Sequence, residues 1–99
     1  MYTILTSKPG EFRTEVAEGM QAVETWDYAL AGRKRAEFVI ASFAAGLRTK
    51  VKVADEAGTQ NVNWVPSKFL ECFDTLEDAR AALRKLASFG SIDITLVKR

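Results

Sequence analysis

Six glycines, Gly10, Gly19, Gly32, Gly46, Gly58 and Gly90, are spread along a chain of 99 residues and cut it into short segments. Glycine is used where the backbone needs a positive φ, so a scattered set reads as punctuation between elements. A phosphate-cradling loop would need glycines clustered between a strand and a helix, and none are. The chain has room for one domain with one core, and the expected unit is a single α+β domain over residues 1–99.

The segments between glycines carry their own periods. Tyr2 to Thr6 is rich in β-branched and aromatic residues and reads as a strand. Pro9-Gly10 suits the centre of a type II turn, after which Phe12, Thr14 and Val16 alternate with Arg13 and Glu15 as a second strand, in a hairpin with the first. Val23, Trp26 and Leu30 recur at three and four residues, which predicts a helix over Ala22–Ala31. Gly32 then stands as its C-terminal glycine, and Arg33, Lys34 and Arg35 face the negative end of its dipole. Phe38 to Phe43 reads as a central strand and Thr49 to Val53 as its hairpin partner. Val62 and Trp64 alternate up to Pro66, and Lys68 to Phe73 resumes a strand-like run.

The clearest helix is Asp74–Ala87. Asp74 or Thr75 caps it, Glu77 and Asp78 occupy its first turn, Arg84 and Lys85 its last, and Leu76, Ala79, Leu83 and Leu86 form its apolar stripe. Leu76, Leu83 and Leu86 are expected to face the sheet, and Arg80 to contribute little. Ile92, Ile94 and Leu96 alternate as a closing strand. These elements predict a mainly antiparallel sheet of five to six strands with two helices packed on one face. If Glu11 to Ala31 were one interrupted helix, the order would approach the ferredoxin-like βαββαβ arrangement.

Chemistry is narrowed by what the chain lacks. It holds no histidine and one cysteine, Cys72. The usual neutral-pH general base, histidine-dependent nucleophiles and paired-thiolate metal ligands are therefore ruled out, and no cofactor or metal is expected. Cys72, in an apolar run, reads as a small buried hydrophobe. Fourteen basic against thirteen acidic residues leave a net charge of +1, too little to draw the whole molecule to nucleic acid or an anionic membrane. The start of the chain lacks a secretory pattern and no apolar stretch is long enough to span a bilayer, so a reducing cytoplasm is the expected compartment.

Two groups of residues are left as candidates for contact. Arg48, Lys50 and Lys52 share one face of a strand, and the expected hairpin sets Phe43 beside them, a basic and aromatic surface of the kind that binds single-stranded nucleic acid. The plain alternative is that these long side chains cover apolar surface with their charges in water. Tyr28 falls off the Val23-Trp26-Leu30 stripe and is expected to be exposed. Trp64 lies in a polar and aromatic segment suited to contacts, though either tryptophan would also fill a core. The expected function is therefore a small non-catalytic binding or accessory protein that recognises another protein or its own copy through sheet edges and exposed aromatics. A single-stranded nucleic-acid binder and a cofactor-free dimeric α+β enzyme are the alternatives.

Overall fold

The computed structural model describes residues 1–58, 61–87 and 94–99. Among the described residues seven strands run in chain order as β1 (Tyr2–Ser7), β2 (Phe12–Thr14), β3 (Met20–Leu30), β4 (Arg33–Phe43), β5 (Lys50–Asp55), β6 (Val62–Pro66) and β7 (Ile94–Lys98), with one α-helix, α1 (Leu76–Ala87), between β6 and β7. They form two antiparallel sheets, ordered β1-β4-β3-β7 and β2-β5-β6. The expected single sheet with two helices is thus replaced by two sheets and one helix, and the ferredoxin-like alternative is excluded because residues 20–30 are strand.

The four-stranded sheet is the middle of three layers. On β4, Val39, Ala41 and Phe43 face the second sheet; with Leu5 and Met20 of the neighbouring strands they pack against Val51 of β5. The alternate residues Ala36, Phe38 and Ile40 face α1, where Ala79 and Leu83 complete a separate cluster with Tyr2, Ile4, Trp26, Tyr28 and Leu96 packed around it. A strand buried on both faces has no polar positions to alternate, which is why Phe38, Val39, Ile40 and Ala41 follow one another without a polar residue.

The segment expected to be a helix, Ala22–Ala31, lies in β3. Its apparent helical spacing comes from a β-bulge: Ala22 pairs with Ala41 and Glu24 with Ile40, leaving Val23 as the extra residue. The bulge changes which face the even-numbered residues occupy. Met20 packs between the sheets, whereas Trp26 and Tyr28 pack toward α1. Val23 is pushed outward and is 43 % exposed. Gly32 does not end a helix; Ala31 and Gly32, at φ 52° and 79°, form the two-residue turn joining β3 to β4. Both φ values are positive, as the hairpin turn that matches strand twist requires.

The expected β4–β5 hairpin is also absent. Both edges of β4 are occupied, by β1 and β3, so the chain leaves that sheet after Phe43 and β5 pairs with β2 and β6. The early turn is as expected: the Glu11 N–H donates to the Lys8 carbonyl across Pro9-Gly10, and Gly10 has φ 81°. Beyond the Lys8–Phe12 bridge, however, β2 takes its ladder from β5. The Lys68–Phe73 run is no strand. Ser67–Phe69 is a 3₁₀ turn, after which Phe73 bridges to Tyr2. Cys72 is exposed, contrary to expectation.

Helix α1 begins where its capping chemistry places it. The Thr75 hydroxyl accepts from the Asp78 N–H at 3.0 Å, satisfying one orphan donor of the first turn. Leu83 is 1 % exposed and Leu76 half-buried, but Leu86 is 46 % exposed, so the stripe reaches the sheet only through its first two turns. The final strand is present from Ile94, whereas Gly90 and Ile92 lie outside the described residues.

Candidate functional site

The candidate residues do not form one site. Tyr28 is half-buried and meets the Phe38 ring edge-on, with centroids 6.1 Å apart. Phe43, at the end of β4, packs into the cluster between the sheets and lies in a different sheet from Lys50. Arg48 is exposed in the connection before β5. Lys50, Lys52 and Trp64 do come together, through strand pairing: Lys52 lies opposite Trp64, and Lys50 opposite Pro66.

The direction of these side chains follows from the two faces of β5. Val51 is 1 % exposed and belongs to the inter-sheet core, so Lys50 and Lys52 stand on the outward face. Residues paired across a ladder share a face, which places Trp64 and Val62 outward as well; they are 57 % and 44 % exposed. Lys52 forms an ion pair with Glu15 at 3.4 Å. An open depression of about 500 Å³ runs beside the indole, lined by Lys50, Lys52, Glu15, Glu18 and Thr49 among others.

The backbone of β6 completes the picture. In register, the Asp55 N–H donates to the Asn61 carbonyl and the Ser67 N–H to the Thr49 carbonyl, each at 2.8 Å. Hydrogen-bonded pairs recur every second residue, so Asn61, Asn63 and Val65 direct their backbone groups at β5. Val62 and Trp64 direct theirs away from the sheet. Strand β6 is the outer strand of its sheet, and the sequence Val62-Asn63-Trp64-Val65-Pro66 carries no charge. Natural edges are commonly blocked by charged side chains, bulges or proline, and here only Pro66 at the far end does so.

A second concentration of charge was missed in the sequence. Glu24 has a side chain 4 % exposed beneath α1, and Arg80 grips both its carboxylate oxygens through Nε and Nη2. Trp26 Nε1 donates to Glu24 Oε1 at 3.0 Å, and Lys98 Nζ lies 3.4 Å from Oε2. The Arg80 hydrogen bond is the main reason that the Glu24 carboxyl is lowered from 4.5 to about 2, against the opposing effect of burial. A buried carboxylate so fully held is a structural clamp. A second group, Asp27, Glu37, Lys34 and Arg99, lies on partly exposed surface, where Arg99 foremost holds the Asp27 carboxyl below its ordinary value. The only hint of either cluster in the sequence was a glutamate within an apolar stretch.

Among the described residues no three His, Cys, Asp or Glu side chains converge as metal ligands, and no helix is long and apolar enough to cross a membrane. No protein-family model, curated protein or solved structure matches this chain.

Proposed function

We propose that this chain is a binding module whose β6 edge receives an extended polypeptide strand, anchored by Trp64. The observation that carries this reading is the coincidence, on one short uncharged edge strand, of outward backbone groups at Val62 and Trp64 with exposed side chains at the same two positions. Strand addition uses these two resources together: backbone bonds supply affinity, and alternate side chains supply selectivity. A reducing compartment suits the exposed thiol of Cys72.

Panning random displayed peptides against the protein tests the reading. Bound peptides are expected to alternate in hydrophobicity and to lose affinity for Val62→Pro, which removes an edge donor while leaving the ladder to β5 intact. Failure to select any peptide sensitive to Val62→Pro would refute it.

One observation supports a second reading. The Lys52–Trp64 pairing sets a cation beside an exposed indole, as on surfaces that stack bases of single-stranded nucleic acid. The Glu15–Lys52 ion pair weakens that field. Quenching of Trp64 fluorescence by short oligonucleotides should therefore be no tighter than about 100 μM at physiological salt. Tighter, salt-sensitive binding that disappears in a Lys50→Glu, Lys52→Glu protein would make nucleic acid the ligand.

A further inference from the structure

The reading above leaves the incoming strand unidentified; building on it, we infer that the strand is β6 of a second copy, paired antiparallel so that Val62 of each copy lies opposite Trp64 of the other. The edge offers two outward N–H groups and two outward C=O groups, at Val62 and Trp64. A two-fold axis at Asn63 joins all of them, giving four hydrogen bonds between the copies. Shifting the register to set Trp64 opposite itself would bring Pro66, which has no N–H, opposite Val62 and leave the Val62 carbonyl of each copy without a donor.

Side chains favour the same register. On the outward face each exposed valine meets an exposed indole, an aromatic and β-branched pairing that stabilises antiparallel sheets. Each Trp64 is then flanked by Lys52 of its own copy on one side and Val62 of the other copy on the opposite side. The two Lys52 side chains end three strand spacings apart, roughly 14 Å, which exceeds the screening length at physiological salt. A net charge of +1 adds little long-range repulsion between copies. The result is a six-stranded sheet with a two-fold axis, in which the open edge of each copy is closed by the other.

Sedimentation velocity from micromolar to millimolar concentration tests this directly. The wild type should shift from one-chain to two-chain mass, and the Val62 and Trp64 amides should become protected from hydrogen exchange over the same range. Val62→Pro should remain a folded monomer throughout, since the valine N–H makes no bond within the sheet. Trp64→Ala should weaken the dimer about tenfold, through loss of both valine–indole pairs. Register is read by Asn63→Cys in a Cys72→Ser background. The two Asn63 positions face each other at a non-hydrogen-bonded site within disulfide reach, so mild oxidation should link the copies. A dimer indifferent to Val62→Pro, or one that fails to cross-link, would overturn the inference. A monomer at millimolar concentration that still binds peptides in a Val62→Pro-sensitive way would overturn the second copy as occupant while sparing the edge itself. Loss of both behaviours would remove the edge reading as well.

Discussion

Replacing Arg80 by alanine should be among the costly single changes on the surface of α1. The sequence places Arg80 off the apolar stripe, yet its guanidinium is the main partner of a carboxylate that is 4 % exposed. A carboxyl that falls from 4.5 to about 2 on folding contributes on the order of 3 kcal/mol at neutral pH. In Arg80→Ala, Trp26 Nε1 and Lys98 remain as partners, and the gap beneath the lost side chain admits water. Breaking a buried pair typically costs about 3–5 kcal/mol, and the remaining partners reduce this to roughly 2–4 kcal/mol. The sign with pH follows from the lowered pKa. The contribution of Glu24 is complete above its unfolded value of 4.5 and is lost as pH falls toward 2, where the wild type protonates the same group. Urea unfolding at pH 7 should therefore show the full difference between wild type and Arg80→Ala, and unfolding near pH 2 a much smaller one. The Asp27 group is untouched by the substitution and cancels from the comparison. Lys85→Ala, on the exposed side of the helix, should stay within about 0.5 kcal/mol. A cost for Arg80→Ala below about 0.5 kcal/mol at pH 7, or an equal cost at both pH values, would refute the reasoning.

Ala31→Asn should stabilise the protein by about 1 kcal/mol, because Ala31 holds φ 52° in the β3–β4 turn, a conformation asparagine tolerates better; thermal unfolding of the two proteins would show it. Leu83→Ala should cost about 2–5 kcal/mol in denaturant unfolding, while Leu86→Ala, at a position 46 % exposed, should cost much less. Gly19→Ala should lower the unfolding midpoint, since φ 85° is unfavourable for alanine and the added Cβ would lie 3.0 Å from Leu47 Cδ1.

The parts of the fold legible in the sequence are those set by neighbours along the chain. The Pro9-Gly10 turn, the Thr75 cap and the stripe through Leu76, Ala79 and Leu83 each depend on residues within a few positions. The β3 strand was hidden because Val23 is a bulge residue: one extra position breaks the period of two, and the remaining apolar spacing imitates a helix. Glu24 disguised the strand further, since its partner Arg80 lies 56 positions away. Strand order was hidden for a related reason. Nothing near Phe43 records that both edges of β4 are already occupied by β1 and β3, so a hairpin with β5 was the natural local reading. Of the candidate surface, Lys50 and Lys52 are legible from alternation and Trp64 from its polar and aromatic surroundings, but the aromatic beside the lysines is Trp64 on β6, and Phe43 is in the core.

The three-layer arrangement makes the stability of this molecule divisible. The outer layers rest on opposite faces of β4, and α1 brings only a few core side chains, Ala79 and Leu83 foremost, besides its grip on Glu24. The two sheets share a separate set of contacts through Leu5, Met20, Ala41 and Val51, none of which touches that helix cluster. Detaching the helix therefore opens one face of the central sheet while the other stays closed. Amide protons of α1 should exchange through such partial openings well before those of β4, which every route to the unfolded chain must break.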